Sequence, residues 1–269
     1  MNNTSLIDLQ HSILDILIEI KRLCDLHKLK YILYGGSCLG AVRHNGFIPW
    51  DDDADIAMPR EDYEVFKKIC KNGELRSDYY FQDYSKEKEP HYNSPWIRIR
   101  KNNTLCVIDY HQKDGFNHLG VFVDIFPIDY LPQNNTQYIS RKYSYFKRIN
   151  RIFSNKIAIN HNTLKSKILH LLLIPFSSRY LYLKREESMN SIKQSNTKAC
   201  MFDFCSSYAP KGALFPADLF EETINHIFEG IEFCIPKKYD EMLKIMYGEY
   251  MKLPPKEKRV AHLPKIISL

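Results

Sequence analysis

Apolar side chains near the start of the chain recur three or four positions apart, which is the spacing of one face of a helix. The pattern covers residues 5–29, and Ser5 followed three residues later by Asp8 is typical of a capping box at a helix start. The sequence therefore predicts an amphipathic helix here. Its apolar positions are Leu6, Leu9, Ile13, Leu17, Ile20 and Leu23.

Shorter apolar runs rich in β-branched and aromatic residues predict strands, and helical spacing returns further along the chain. In the strand at 120–128, Pro127 is expected to mark the strand end, with Asp129 in the loop beyond it. The other predicted strands are 31–34, 95–109 and 232–235, and the other predicted helices are 61–72 and 237–247, the last closed by Gly248.

The pattern changes between residues 134 and 200, where basic helical stretches follow Gln133. We interpret this region as a helical insertion that binds the acceptor substrate. Its apolar run within 164–183 is too short to cross a bilayer, which needs about 20 residues. Flanking cations, including Lys165, Lys167 and Arg179, would suit an anionic membrane surface. A buried core helix is the simpler interpretation, and we favour it.

Composition supports a folded chain of 269 residues with 44% apolar and 13% aromatic side chains. The net charge of +6 fits anionic substrates or an anionic membrane surface, and without an aromatic-interleaved basic signature no nucleic acid partner is expected. Seven cysteines, an odd number without Cys-x-x-Cys, indicate reduced thiols. With no visible secretory signal, we expect a cytoplasmic protein, located at the inner face of the plasma membrane if it binds membranes.

Four carboxylates fall within five positions, at Asp51, Asp52, Asp53 and Asp55, and apolar residues flank them on both sides. In an extended segment Asp53 and Asp55 would point the same way. Two carboxylates about 4–6 Å apart repel by roughly 3–4 kcal/mol at an effective dielectric of about 20. Hard oxygen ligands on one face therefore predict a Mg²⁺ or Mn²⁺ site. A surface acidic loop, or a set of turn and cap aspartates, is the alternative.

A glycine turn precedes the acidic segment, with Gly35, Gly36 and Ser37 between a strand-like and a helix-like stretch. Backbone N–H groups at such a helix start can bind a phosphate, and Ser37 is expected to cap the helix. Arg43 is either a phosphate ligand or an ordinary exposed helix residue. Trp50 is a candidate ligand for a cationic group, although a core position is the more ordinary interpretation.

Asp124 stands inside an apolar, β-branched run, where a lone carboxylate is costly unless it is paired or binds a metal. It is therefore the candidate third carboxylate of the site, with a capping aspartate as the alternative. Arg98 and Arg100 alternate with isoleucines on a predicted strand. They share one face, which either lines the phosphates of a nucleotide or is solvated.

The stretch 34–63, running from Gly-Gly-Ser-Cys-Leu-Gly-Ala-Val-Arg-His to Trp-Asp-Asp-Asp-Ala-Asp-Ile, resembles the LicD family of bacterial phosphocholine transferases, relatives of the fukutin proteins. Segments 123–127, 228–236 and 247–255 fit the same family. The resemblance implies an α+β, nucleotidyltransferase-like fold, with a mixed β-sheet core flanked by helices and a helical insertion. It divides the chain into a catalytic core at 1–133, the insertion at 134–200 and a C-terminal part at 201–269.

The resemblance also implies a reaction, the transfer of phosphocholine from CDP-choline to a sugar hydroxyl of a cell-surface glycan, with release of CMP. The acceptor would be a teichoic acid, lipopolysaccharide or capsule precursor, in lipid-linked form. Asp53, Asp55 and Asp124 would hold Mg²⁺, and Asp124 would accept the hydroxyl proton.

Two other functions remain open from the sequence. One is a nucleotidyltransferase that moves NMP from an NTP to a small molecule or RNA, or another phospho-alcohol transferase of the same fold. The other is a nucleotide-binding module without catalysis.

Overall fold

The computed structural model describes residues 5–107, 115–132, 136–189, 199–206, 209–219, 221–259 and 266–269. The helices are α1 (Leu6–His27), α2 (Gly35–His44), α3 (Arg60–Lys71), α4 (Thr136–Ile157), α5 (Leu164–Leu172), α6 (Ser178–Met189) and α7 (Tyr239–Tyr247). The strands are β1 (Ile32–Tyr34), β2 (Asp55–Pro59), β3 (Tyr79–Gln82), β4 (Ile97–Lys101), β5 (Leu105–Val107), β6 (Phe122–Pro132), β7 (Ala199–Phe202), β8 (Leu214–Pro216), β9 (Thr223–Phe228), β10 (Ile231–Pro236) and β11 (Ile266–Ser268).

A mixed sheet in the order β1-β2-β6-β4-β3 forms the centre of the molecule. β2 and β6 run parallel, and the other neighbours in this order are antiparallel. The second half of β6 pairs with β7, which in turn pairs with β8. Helices flank this curled sheet, so the predicted α+β class is confirmed. The division into three segments stays a prediction.

Helix α1 packs its apolar stripe on the sheet, as the spacing of its residues predicts. The Ser5 hydroxyl accepts a hydrogen bond from the Asp8 backbone N–H, and the Asp8 carboxylate accepts one from the Ser5 backbone N–H. These are the two bonds of a capping box, so the predicted helix start is confirmed. The predicted strand at 232–235 and the helix ending at Gly248 are also present, as β10 and α7.

Strand β6 continues through Pro127, so the predicted strand end at that residue is wrong. Pro127 falls where β6 exchanges one antiparallel partner, β4, for another, β7, and a missing backbone N–H is tolerated at such a point. Asp129 is consequently a buried strand residue and not a loop residue. The Arg60 guanidinium donates two hydrogen bonds to its carboxylate, with N···O distances of 2.8 and 2.7 Å.

Helices α4 and α6 pack against each other, whereas α5 buries none of its residues. Leu164, Leu171 and Leu172 are each at least 63% exposed. The favoured interpretation of this run as a core helix is therefore wrong: an amphipathic pattern shows which residues share a face, but not whether the fold covers that face. The parts of the predicted segments at 108–109, 133–135 and 190–198 lie outside the described residues.

Candidate active site

A row of polar side chains crosses five strands of the central sheet. Its members, in spatial order, are Tyr34 on β1, Asp55 on β2, Asp124 on β6, Arg98 on β4 and Gln82 on β3. Each residue pairs in register with the next, and in-register neighbours point to the same face of a sheet. Residues distant in the sequence thus converge on one line, about 4.8 Å from strand to strand.

Arg98 and Asp124 form a buried ion pair at the centre of this row. The Arg98 Nε donates to Asp124 Oδ1, and Nη2 donates to Oδ2 at 3.2 Å. The guanidinium carbon lies 4.5 Å from the centroid of the Phe122 ring, so aromatic packing also holds it. The two contacts fix the orientation of the Asp124 carboxylate.

The glycine turn lies directly against two of the carboxylates. Gly35 begins α2 with φ +55°, and a Cβ added there would lie 3.2 Å from Asp55 Oδ2. A Cβ added to Gly36 would lie 2.9 Å from Asp51 Oδ2, which is closer than real Cβ atoms approach. The absence of side chains at both positions therefore lets the acidic groups reach the N-terminus of α2.

Ser37 does not cap α2, because the helix begins two residues earlier, at Gly35, and its N-cap is Tyr34. The Ser37 hydroxyl instead accepts a hydrogen bond from the backbone N–H of Asp55 at 2.9 Å. The residue therefore ties the turn to the start of β2 and fixes where the Asp55 side chain begins.

Asp53 lies before β2 rather than on it, so only Asp55 of this pair is a strand residue, and their common direction stays a prediction. Burial raises the pKa of Asp51 to about 6, with the charge of Asp52 as a second cause. Crowding by surrounding protein, then the charges of nearby aspartates, raises the pKa of Asp53 to about 7, although its side chain still reaches solvent. Burial and the charge of Asp53 raise the pKa of Asp55 well above its ordinary value.

The donor chemistry of this cluster suits a hard divalent cation, because its carboxylates carry more negative charge than Arg98 neutralises. The positions of the side chains fit a bound cation less well than their chemistry does. Over the described ranges, no three His, Cys, Asp or Glu side chains are placed to hold one ion together. Both Asp124 oxygens face Arg98. A metal at Asp53, Asp55 and Asp124 therefore stays a prediction, and side chains would have to rotate to bind it.

Arg98 and Arg100 are both fully buried, so a solvated strand face is wrong. Arg100 contacts the row at its Gln82 end, donating to Gln82 Oε1 and to the Gly120 carbonyl, both at 2.6 Å. Burial and the charge of Arg98 lower the pKa of Arg100 to about 10. Arg98 is thus a member of the polar row, while Arg100 joins the end of that row to the Gly120 carbonyl.

Arg43 and Trp50 lie beside the C-terminal segment. Arg43 Nη1 donates to the Tyr250 carbonyl at 2.6 Å, and the Arg259 guanidinium lies 5.6 Å from the Trp50 ring centroid. Trp50 is half-buried and also contacts His44, so it is not a fully buried core residue. Burial and the nearby Arg259 charge lower the pKa of Arg43, which indicates that two cations stand close together here.

Asp203 is a buried carboxylate that the sequence prediction missed. The Tyr34 hydroxyl donates to Asp203 Oδ2 at 3.0 Å, which links Asp203 to the polar row. Burial raises the pKa of Asp203 to about 6. The flanking Phe202 and Phe204 are the same signal, an acidic residue inside an apolar run, that identified Asp124.

Comparison with known proteins yields one family. The profile described as "LicD/FKTN/FKRP, nucleotidyltransferase domain" matches residues 28–165. The chain is 29% identical over 270 residues to the lipopolysaccharide cholinephosphotransferase LicD of Haemophilus influenzae, covering 97% of each sequence. It is also 27% identical over 143 residues to an uncharacterized protein of Rickettsia typhi, covering 50% of this chain and 39% of that protein.

Proposed function

The chain belongs to the LicD/FKTN/FKRP nucleotidyltransferase family, and from this premise we propose that it is a transferase that moves phosphocholine from CDP-choline to a sugar hydroxyl of lipopolysaccharide or a related cell-surface glycan. The full-length similarity to a lipopolysaccharide cholinephosphotransferase supports the transferred group and the acceptor class. Teichoic acid and capsule precursors are acceptors of the same chemistry.

The observation that carries this proposal is the row of Asp55, Asp124 and Arg98 beside the glycine turn. Phosphoryl transfer needs groups that position a phosphate and balance its charge as bonds change. In the proposed step, the bond from the acceptor oxygen to phosphorus forms and the bond from phosphorus to the CMP oxygen breaks. The hydroxyl proton passes to Asp124, and the Arg98 guanidinium beside it supplies positive charge.

We also propose that Asp53, Asp55 and Asp124 bind Mg²⁺ or Mn²⁺. The excess of carboxylates in this cluster supports the proposal, since their mutual repulsion is relieved by a divalent cation. Such an ion would supply charge neutralisation at the diphosphate.

In this proposal, the glycine turn and the side chains of Arg43 and Trp50 bind the donor. The Gly36 backbone N–H at the start of α2 would hold a donor phosphate, while Ser37 keeps the turn and β2 together. Arg43, with Arg259 close by, supplies positive charge for the second phosphate. Trp50 offers an aromatic face for the quaternary ammonium, which Arg259 occupies in the structure and would have to leave before choline binds.

Contact with a membrane surface would bring the enzyme to a lipid-linked acceptor. None of the described helices combines the length and apolar character needed to span a bilayer. Leu164, Leu171 and Leu172 of α5 are exposed, and so are Lys165 and Lys167 on the same helix. Apolar side chains beside cations fit the surface of an anionic bilayer, so we propose peripheral binding through α5 at the inner face of the plasma membrane.

The test is to identify the product from two donor classes. Purified protein with Mg²⁺ should release CMP from CDP-choline, increase that release when a lipopolysaccharide acceptor is added, and add the mass of phosphocholine to the acceptor. A chelator should stop the reaction. Pyrophosphate release from an NTP, without cleavage of CDP-choline, would instead establish nucleotidyl transfer on the same fold.

A further inference from the structure

A cavity of about 400 Å³ lies between the sheet and helix α4. Its walls include three aromatic residues from the helical region and the β7–β8 connection, namely Tyr143, Phe146 and Phe204. Trp96, which directly precedes β4, forms the wall toward the sheet. The volume is in the range of about 300–1,000 Å³ that is typical of ligand sites.

Two polar atoms of the lining are buried without a hydrogen-bond partner. They are the Trp96 indole Nε1, a donor, and the Asn150 side-chain Oδ1, an acceptor. An unsatisfied buried polar group costs about 1–3 kcal/mol, so native proteins seldom keep one without a reason. Both atoms belong to side chains that line the same cavity, and a ligand there can satisfy them once these side chains turn toward it.

We propose that this cavity binds the acceptor sugar. A sugar hydroxyl both accepts and donates hydrogen bonds, so one ring can satisfy the Trp96 N–H and the Asn150 oxygen together. The aromatic walls would pack on the apolar C–H faces of the ring. Further polar lining comes from Asn93, Ser94 and Ser154, which suits a ligand with hydroxyls around its edge.

The choline group of the donor fits this cavity less well. A trimethylammonium group has no N–H or O–H to donate and no lone pair to accept, so it would leave both orphaned atoms unsatisfied. Lys147 also lines the cavity, with its Nζ 5.5 Å from the Tyr143 ring centroid. The aromatic face therefore already has a cation, and a second one would be repelled.

The cavity adjoins the row of polar side chains that contains Asp124 and Arg98. Trp96 directly precedes β4, and the Arg98 guanidinium carbon lies 5.8 Å from the centroid of its ring. Its ring centroid lies 5.0 Å from that of Phe126, which follows Asp124 by two residues. On the other wall, the Cys205 backbone N–H donates to Asp203 Oδ1 at 2.7 Å. A sugar held here would therefore lie next to the proposed base.

This inference rests on the proposed function for its role, but binding can be tested without catalysis. The chain contains two tryptophans, so a ¹⁵N spectrum of indole groups has two N–H signals, and Trp50→Phe assigns them. We expect the Trp96 signal to shift when methyl glycosides of glucose, galactose or N-acetylglucosamine are titrated to high millimolar concentrations. Choline chloride should leave that signal in place.

Kinetics give the second test. Trp96→Phe keeps the ring and removes the N–H, and Asn150→Ala removes the acceptor. Each should raise the KM for the glycan acceptor by about 5- to 10-fold more than it changes the KM for CDP-choline, because one hydrogen bond to a neutral sugar is lost. Lys147→Gln is compared with Arg148→Gln, because Lys147 lines the cavity and its neighbour Arg148 does not. The second variant should behave as wild type.

The outcomes separate the two proposals. If the protein transfers phosphocholine but no glycoside shifts the Trp96 signal and the acceptor KM is unchanged in Asn150→Ala, the sugar site is wrong while the function stands. A shift with choline and none with glycosides would make the cavity a donor site and overturn the inference. A shift with glycosides without cleavage of CDP-choline would retain the sugar site and reject the proposed donor.

Discussion

At the scale of single residues, the buried guanidinium groups of Arg98 and Arg60 are each paired with a buried carboxylate. Arg98 is enclosed by the sheet and aromatic rings, yet its guanidinium is matched by both oxygens of Asp124. Arg60 is matched in the same way by Asp129. Pairing of this kind offsets the cost of removing each charge from water.

Removing one partner of the central pair should therefore destabilise the fold. We expect Arg98→Met to lower the free energy of unfolding by about 3–5 kcal/mol, because Asp124 is left as an unpaired charge beside Asp55. The double variant Arg98→Met/Asp124→Leu should regain most of this stability and remain inactive. Urea unfolding measures the free energy of unfolding of each variant, and Arg148→Met, at an exposed position, is the control. A loss below about 1 kcal/mol in the single variant would contradict the pairing.

The close approach of Asp51 to the turn predicts the effect of one methyl group. Gly36→Ala should displace the Asp51 carboxylate and reduce turnover at least about 10-fold, with little change in melting temperature. In an Asp51→Ala background the same substitution should have no further effect, because the clashing atoms are gone. Equal losses in both backgrounds would reject the contact as the cause.

His118 predicts a pH dependence of stability. Burial, then the charge of Arg100, lowers its pKa to about 4, and its ring stacks on Tyr80 at 4.5 Å. The unfolded chain, with an ordinary pKa of about 6.5, binds the proton first as pH falls, so stability is lost between about pH 6.5 and 4. A shift of this size corresponds to about 3 kcal/mol, and with solvent screening we expect about 1–2 kcal/mol.

In urea unfolding, His118→Gln should remove about 1–2 kcal/mol of the stability that the wild type loses between pH 7 and pH 4.5. His11→Gln, at an exposed position on α1, is the control. A pH profile in His118→Gln that parallels the wild type would show that the imidazole does not contribute.

At the scale of elements, local patterns predict structure well where the signal is local. The capping box and the apolar spacing of α1 suffice to place that helix. They do not suffice for β6, because Pro127 is tolerated only where two different strands pair on either side of it. Asp129 was consequently misplaced, since its partner Arg60 comes from a helix 69 residues away in sequence.

Helix α5 carries the prediction that belongs to this scale. Replacing Leu171 and Leu172 by glutamine should weaken binding to vesicles of phosphatidylglycerol and phosphatidylcholine at least about 10-fold, because each leucine contributes about 1 kcal/mol or more on burial in the interface. Ile7 and Leu26, exposed to a similar degree on α1, provide the matched double-glutamine control. Sedimentation with vesicles measures this, and equal binding by both variants would reject α5 as the contact.

At the scale of the whole molecule, the site depends on the order of the strands. The row from Tyr34 to Gln82 joins strands whose pairing no local pattern specifies. The sequence identified Asp55 and Asp124 as unusual, but only the fold makes them neighbours and sets Arg98 beside them. The cavity beside Trp96 was not foreseen either, because its walls come from three distant segments.

The most direct test of the account compares acceptor-dependent CMP release from CDP-choline in wild type, Asp55→Asn and Asp78→Asn. Asp78 is exposed, so its variant is the control for loss of a carboxylate elsewhere. We predict that Asp55→Asn lowers the rate about 100-fold or more while Asp78→Asn remains near wild type, because only Asp55 belongs to the row that handles the phosphate. Retention of activity within about 2-fold of wild type by Asp55→Asn would contradict the placement of the reaction at this row.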